Sequence, residues 1–577
     1  MEARRAGALR LLALLVAGGA LVAAAGTDVT FGTGEAGPGA ETAVTAEPGP
    51  ASYLAEAVLA CPGAVEDGAL EDGGHDRSTQ TRMRVVGAPR EVFEASPPTG
   101  APGLELALVG TDGLDVADVD GQLAVRLEDE AWGIVRAGGE QAPGVVASQL
   151  SMVPDTGARG WALAPCSVPA DVVHLVGGGE GAGRVGRVVV ANPSSDPVTV
   201  DIEVFGEDGM VSTVGGSGLV VPPQGRLVER LDALAPSVRH PVVRVVAQGG
   251  PVTAHLADRH RSGTTDLGRE VPAAAATPAT ELVVPALPRE EQGEQTLTLR
   301  LFAPDGPAVV ELRALTGEGG HVPDPPVVRV PAGSTVEVEM DDLPDGPVAL
   351  RLRSDAPVTA GALLQVGPVS DEPVVLDEDT AGPDEAATTA GPDDAATTAA
   401  PDEAATTAAP DDAATTAAPG EAATTAAPDE AATTAGPDGP APQAEPVLHP
   451  AGESAWVAAV PLSQEPLGMA LPDSEPAADP VAALALSAVD ATTATVLWLD
   501  DRDRVRTEEL TLANDTTRVL EVPARTVALW VLPGQDVGVA AALHLSHEDV
   551  VGPYLTAATL PQVPWTRTVP AVVPVLP

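Results

Sequence analysis

The chain has 577 residues, with 83 acidic and 31 basic side chains and a formal net charge of −52. Such a negative surface argues against nucleic acid and against anionic lipid headgroups as partners, because both require a basic surface. Aromatic residues make up only 2% of the chain, and 60 glycines and 58 prolines interrupt it every few residues. These properties predict an all-β protein with short strands and with cores of valine, leucine and alanine.

The first 25 residues have the pattern of a secretory signal peptide. Arg4, Arg5 and Arg10 precede an apolar stretch over 11–25 that ends in three alanines. A membrane span needs about 20 apolar residues, so we predict a cleaved signal over 1–25, with an uncleaved anchor as the alternative. Either interpretation predicts that the rest of the chain lies outside the cytoplasm. Residues 26–52, rich in Gly, Ala, Thr and Glu, are predicted to be a flexible spacer.

An N-terminal β-layer is predicted over 53–170, from strand patterns at 104–109 and 122–127. The sequence leaves open whether this layer is a further repeat. Cys61 and Cys166 are the only cysteines of the chain. Two cysteines in an exported protein favour a disulfide, so we predict a Cys61–Cys166 bond that ties this layer to the next unit. Two separate buried thiols are the alternative.

A repeated β-unit is the strongest pattern in the sequence. Apolar and polar residues alternate over 198–204, which is typical of a half-buried strand. The same order of segments returns 106 residues later, with the sequence PVTA at 251–254 and again at 357–360. A third, more degenerate copy of the unit follows at 481–545. We therefore predict tandem immunoglobulin-like β-sandwich repeats. Their predicted bounds are 171–280, 281–370 and 452–564, followed by a proline-rich tail over 565–577.

Residues 371–451 differ from the rest, since they consist mainly of nine-residue units such as PDEAATTAA and carry 18 acids and no arginine. Proline at every ninth position limits any helix to a length that is unstable in isolation. The units contain no large apolar side chain that would drive collapse. We predict a long disordered acidic linker that holds the last sandwich at a distance. Its paired threonines resemble those of O-glycosylated stalks.

Two motifs suggest ligand binding, but the surrounding sequence does not support either. The glycines at 181–186 match GxGxxG, yet a dinucleotide site needs a helix after them and a strand pattern follows here. Four aspartates crowd a glycine-rich segment without the spacing of a calcium loop: Asp112, Asp115, Asp118 and Asp120. We interpret both segments as turns.

Histidines offer no metal site either, since zinc needs three or four converging ligands. His255 and His260 are five apart, and His544 and His547 three apart, without a helix to bring either pair onto one face. We therefore predict no cofactor, no metal and no catalytic residue.

Several short motifs resemble a known family. They are Ala-Pro-Cys at 164–166 ahead of a strand and a Gly-Gly pair, Ala-Asn-Pro at 191–193, and IEVFGEDG at 202–209. Over about 61–368 the chain resembles a family of exported actinobacterial proteins that is classified only as a domain of unknown function. That family often has tryptophan near the position of Val173. The resemblance implies an exported location and a repeat fold, and it implies no activity.

We expect an exported, non-enzymatic protein of the cell envelope with a structural, adhesive or protein-docking role. Its expected partner is an envelope protein or a cell-wall polymer, with no membrane contact beyond an N-terminal anchor. The alternative is a carbohydrate- or cell-wall-binding module that serves a separate enzyme, and it requires exposed aromatic side chains. Trp498 and Trp530 lie in strand patterns and are predicted to be core residues. The remaining tryptophans are less constrained: Trp132, Trp161, Trp456 and Trp565.

Overall fold

A computed structural model describes residues 52–65, 80–93, 103–110, 113–127, 131–154, 159–213, 215–289, 295–368, 374–375, 447–448, 450–474, 480–534 and 537–567. They form 37 β-strands, one α-helical turn and two 3-10 turns (Arg90–Val92 and Gly139–Gln141), so the all-β prediction is confirmed. Within these ranges no helix is long and apolar enough to cross a bilayer. The predicted signal peptide, most of the predicted spacer, nearly all of the predicted linker and residues 568–577 lie outside the described ranges.

The predicted N-terminal layer is a complete sandwich. Its two sheets have the orders β2-β7-β4-β5 and β6-β3-β8-β9, and their inner faces share one core. The short strand β1 precedes it. The bounds are β1 (Ser52–Tyr53), β2 (Glu56–Ala60), β3 (Gln80–Val86), β4 (Gly103–Gly110), β5 (Gly113–Asp118), β6 (Gln122–Leu127), β7 (Trp132–Gly138), β8 (Val146–Val153) and β9 (Gly160–Pro165).

The second sandwich contains the first copy of the repeat. Its sheets have the orders β10-β16-β12 and β15-β11-β17-β18, and β13 and β14 both pair with β12. The bounds are β10 (Val172–Val176), β11 (Val185–Asn192), β12 (Val198–Gly206), β13 (Gly209–Val211), β14 (Leu219–Val221), β15 (Gly225–Arg230), α1 (Leu231–Leu234), β16 (Val242–Gln248), β17 (Thr253–Ser262) and β18 (Thr265–Glu270).

The third sandwich contains a strand, β25, that serves both sheets. Its first half pairs with β19 and β21, and its second half pairs with β20 and later with β28. The short strands β26 and β27 pair with each other. The bounds are β19 (Ala279–Leu287), β20 (Gln295–Ala303), β21 (Ala308–Thr316), β22 (Gly319–His321), β23 (Val327–Val330), β24 (Ser334–Glu339), β25 (Val348–Val366), β26 (Val374–Val375), β27 (Val447–Leu448) and β28 (Glu453–Ala458).

The fourth sandwich has the sheet orders β29-β34-β31-β32 and β33-β30-β35-β36. Although the sequence places 452–564 in one unit, β28 at its start completes the third sandwich. The bounds are β29 (Leu467–Ala470), β30 (Val481–Ala488), β31 (Thr492–Asp500), β32 (Val505–Leu512), β33 (Thr516–Glu521), β34 (Thr526–Pro533), β35 (Ala540–Glu548), β36 (Pro553–Thr559) and β37 (Thr566–Arg567).

All four sandwiches share one strand order. One sheet joins the first, sixth, third and fourth strands, and the other joins the fifth, second, seventh and eighth. Both PVTA segments lead into a seventh strand, β17 and the second half of β25, which explains the repetition in the sequence. The immunoglobulin-like part of the prediction is not confirmed, because an immunoglobulin domain pairs its first strand with the second and not with the sixth.

The sandwiches close into a ring. The outer face of each first-strand sheet packs on the next sandwich. In three junctions it meets the second and seventh strands, and in the first junction it meets Ala191 of the second strand. The fourth sandwich packs on the first through Trp530 and Val146. The eighth strands β9, β18, β28 and β36 contact one another in this cyclic order at the centre. β37 pairs with β1, so the two ends of the described chain meet. The last sandwich is therefore not held at a distance from the others.

Cys61 and Cys166 are bonded, with their Cα atoms 4.2 Å apart. Both side chains lie in the core of the first sandwich, just after its first and eighth strands. The backbone of Ala60 pairs with that of Ser167 beside them. The bond therefore closes the first sandwich on itself and does not tie it to the second.

Removing this bond is expected to destabilise the first sandwich. A Cys61→Ala/Cys166→Ala variant should lose about 2–4 kcal/mol of unfolding free energy, because the unfolded chain regains the freedom of a loop of 105 residues. Thermal unfolding with and without a reductant measures the loss. The double variant also controls for other effects of the reductant, because the reductant should lower the melting temperature of the parent protein only. Equal melting temperatures for the two proteins would contradict the expectation.

Candidate functional site

Two buried carboxylates brace the centre of the ring. Glu453 on β28 accepts hydrogen bonds from the backbone nitrogens of Arg269 (3.2 Å) and Ser454 (3.1 Å). Glu270 on β18 accepts a hydrogen bond of 3.0 Å from the hydroxyl of Thr556 on β36. That hydroxyl in turn accepts one of 2.8 Å from the backbone nitrogen of Leu163 on β9. The four eighth strands are thus held together by side chains and not by a continuous ladder.

Burial sets the protonation of these carboxylates. It raises the pKa of Glu453 to about 8, and it raises the pKa of Glu270 well above its ordinary value. Shifted acids often mark catalytic sites. Here each residue is only 1% exposed, and the cavity beside Glu270 has a volume of about 10 Å³, room for at most one water. Because both carboxylates are buried without an open cavity beside them, we interpret the pair as structural.

A buried arginine holds the junction between the second and third sandwiches. Arg300 on β20 donates from Nη1 to the carbonyls of Gly177 (2.8 Å), Gly178 (3.1 Å) and Pro241 (2.9 Å) of the second sandwich. Its Nε and Nη2 donate to Glu337 at 2.8 and 2.6 Å. The arginine is 2% exposed, so every one of these bonds replaces water.

A second ion pair lies beside it. Asp258 on β17 accepts from Arg184 at 2.6 Å and from the indole nitrogen of Trp456 at 3.1 Å. Burial alone would raise the pKa of Asp258, but the Arg184 guanidinium outweighs it and lowers the pKa. For Glu337, burial is likewise outweighed by hydrogen bonds from His240 and Arg300, which lower its pKa to about 2.

The GxGxxG segment is a turn that brings Arg184 to Asp258 and precedes a strand, as the sequence indicates.

The best candidate for a binding site is an apolar cavity of about 210 Å³ near the ring axis. The first and fourth sandwiches contribute to it, together with the segments that follow β18 and β28. Apart from the disulfide, the polar side chains in its lining are Ser167, Thr559 and Gln562, so its wall has no acid, base or cation. Its lining includes Leu59, Val146, Ala147, Cys166, Val168, Ala273, Ala274, Val460, Gly468, Pro561 and Val563.

Apart from Cys166, none of the residues considered from the sequence lines this cavity, although Nε2 of His255 lies 3.3 Å from the hydroxyl of Ser167 in its wall. His255 and His260 lie on β17 and His544 and His547 on β35, and the described residues include no group of three side chains that could hold a metal. Asp115, Asp118 and Asp120 are exposed, and Asp112 lies outside the described residues. Trp498 and Trp530 are core residues, as expected. Trp132, Trp161 and Trp456 are also buried, and Trp565 stacks on Phe93.

Three buried histidines predict acid sensitivity. Burial lowers the pKa of His174, His255 and His544 to about 4. The unfolded chain takes up these protons near pH 6.5, so stability is complete above that pH and falls as pH drops toward 4, by at most about 3 kcal/mol for each histidine. Urea unfolding of a His544→Gln variant should show a smaller loss between pH 7 and 4.5 than the parent protein. A His321→Gln variant, altered at a half-buried position on β22, should match the parent. Equal slopes for all three proteins would refute the assignment.

These observations define the class of the protein as an all-β ring of four interlocked sandwiches. Over 126–436, more than half of its length, the chain matches a family described as "Family of unknown function (DUF5719)", and it belongs to that family. The matched range begins in β6, covers the second sandwich and β19–β25 of the third, and ends between β26 and β27. No curated protein matches the sequence.

Proposed function

We propose that this protein is exported and serves, without catalysis, as a structural and protein-docking component of the cell envelope. The main support for this proposal is the apolar cavity of about 210 Å³ near the ring axis. It is lined by the first and fourth sandwiches and by the segments that follow β18 and β28, and its wall offers apolar surface without a titratable side chain. Such a wall suits the burial of an apolar segment, whereas hydrolysis needs an acid, a base or an activated nucleophile at the reacting atom. The disulfide favours an oxidising location outside the cytoplasm.

The alternative, a carbohydrate-binding module, has less support. Five tryptophans are at most 3% exposed. The sixth, Trp565, packs between Tyr53 and Phe93 where the two ends of the described chain meet. The part of the chain that the structure describes therefore has no pair of exposed tryptophans for a sugar ring to stack on. This favours a protein partner over a polysaccharide.

Export is tested in cells that produce the full chain. Protease added to intact cells should degrade the protein, and thiol blocking before lysis should find Cys61 and Cys166 already oxidised. Protection from the protease together with two free thiols would refute the proposal.

Docking at the cavity is tested by filling it. Full-length protein should retain a protein partner from solubilised envelopes, and an Ala273→Trp variant, which places a large side chain in the cavity, should lose it. A Val550→Trp variant is the control, because Val550 is 67% exposed and lies away from the cavity lining. Retention of purified wall polymer without any protein would favour the carbohydrate-binding alternative.

A further inference from the structure

One of the four junctions between sandwiches is open at its outer rim. In the other three, the turn after the third strand of one sandwich contacts the start of the fifth strand of the next. These contacts are Gly209 against Gly333, Thr316 paired with Thr516, and the amide of Gln122 donating to Asp503 at 2.9 Å. These three contacts close the outer end of the junctions in which they occur.

Among the described residues the first junction has no such contact, and residues 111–112 of its corresponding turn lie outside the described ranges. Arg226, at the start of β15, donates instead to the carbonyls of Pro62 and Ala64, nearer the axis. All six residues of β5 are exposed.

Apolar side chains face into this opening from both sides. Val116 lies opposite Ala107, whose sheet face packs on Ala191 of the second sandwich. Leu114 shares that face, and the two side chains are 49% and 51% exposed. On the facing sheet Val228 pairs with Val189 and is 40% exposed. We call the surface formed by Leu114, Val116 and Val228 the rim cleft.

The edge of the cleft is an unpaired strand with a negative charge. β5 pairs with β4, and no other described strand pairs with it. Exposed Glu105, Asp115, Asp118 and Asp120 lie on or beside the hairpin, and its described residues include no arginine. An open strand edge offers backbone donors and acceptors to an added strand, alternate apolar residues give that strand a place to bury its own, and the carboxylates select positive charge.

We propose that the rim cleft binds an extended segment of a partner protein, with alternating apolar and basic residues, which adds to the first sandwich as a strand beside β5. The proposal deepens the docking role proposed above and places one docking surface at the rim. The apolar residues of the partner cover Leu114, Val116 and Val228, while its basic residues lie on the other face of the sheet, where they meet Asp115. The occupant is a different protein and not a second copy, because two acidic β5 edges repel each other.

The test uses the full-length protein and a fluorescent peptide of four Arg-Val units, measured by anisotropy at constant ionic strength. We expect saturable binding, with protection of the β5 amides from hydrogen exchange. A Leu114→Asp/Val116→Asp variant should bind at least tenfold more weakly, even though it adds two negative charges. A Val481→Asp/Val519→Asp variant, with the same change on β30 and β33, should stay within twofold of the parent protein.

Three results would overturn the rim proposal. One is no binding by the parent protein. Another is equal or tighter binding by the Leu114→Asp/Val116→Asp variant, which would show attraction by charge alone. The third is a dimer in sedimentation that this variant abolishes, which would make a second copy the occupant. All three are independent of the export assay, so peptide binding by a protein retained in the cytoplasm would overturn only the proposed location.

Discussion

An Arg300→Ala variant is expected to lose about 3–5 kcal/mol of unfolding free energy, the range found when one partner of a buried ion pair is removed. The substitution leaves three carbonyls of the second sandwich without their donor, at Gly177, Gly178 and Pro241. It also removes a guanidinium that stacks 4.8 Å from the ring centre of Trp456. Chemical unfolding followed by tryptophan fluorescence measures the loss.

Arg504→Ala is the matched control. Arg504 pairs with Asp500 at 2.6 Å, but its side chain is 67% exposed, and exposed pairs contribute at most about 1 kcal/mol. An Arg300→Met/Glu337→Gln variant, which removes both charges, should recover part of the stability lost in Arg300→Ala. If Arg300→Ala and Arg504→Ala unfold at the same denaturant concentration, the junction does not depend on the buried arginine.

A Glu453→Gln variant is expected to become more stable than the parent protein as pH rises. The pKa of Glu453 is raised to about 8 in the folded state, against 4.5 as its ordinary value. Below pH 4.5 both states hold the proton and nothing is lost. Between pH 4.5 and 8 the unfolded chain releases the proton and the folded chain keeps it, so the parent loses at most about 5 kcal/mol. Glutamine imitates the protonated acid and does not titrate.

Urea midpoints at pH 4.5, 6 and 8 test this expectation. The two proteins should differ least at pH 4.5 and most at pH 8. A Glu339→Gln variant, altered at an exposed position on β24, should follow the parent at every pH. Parallel profiles for the parent and Glu453→Gln would show that the central carboxylate is ionised and that the ring centre admits water. Together with the buried histidines, this effect places maximum stability near pH 6.5.

The fold was largely predictable because it depends on local patterns. The alternation of apolar and polar residues over 198–204 indicates a strand with one buried face. The second occurrence of the sequence PVTA indicates that the same strand position occurs again in the next repeat. The closure of the ring was not predictable in this way. Its interfaces use the second face of strands such as β11 and β35, so those strands are apolar on both sides and their alternation is weak. Such runs do not show which neighbour they bury against.

The buried charges had no signal in the sequence. Arg300 occupies a strand position that alternation assigns to solvent, and it is buried because another sandwich lies over it. Glu270 and Glu453 are 183 residues apart and meet only at the ring centre. Among 83 acidic residues, composition gave no reason to select these two. Residues that act between sandwiches could be found only once the packing of the sandwiches was known.

The pairing of β26 with β27 fixes the two points at which the segment of nine-residue units joins the rest of the molecule. Val374 lies opposite Leu448 and Val375 opposite Val447, so the chain leaves and re-enters the third sandwich at one point. The number of units between these strands is therefore independent of the distance between any two sandwiches. For a disordered linker such as the sequence predicts here, each doubling of its length costs only about 0.6 kcal/mol of closure entropy. Gain or loss of whole units is therefore expected to leave the ring unchanged.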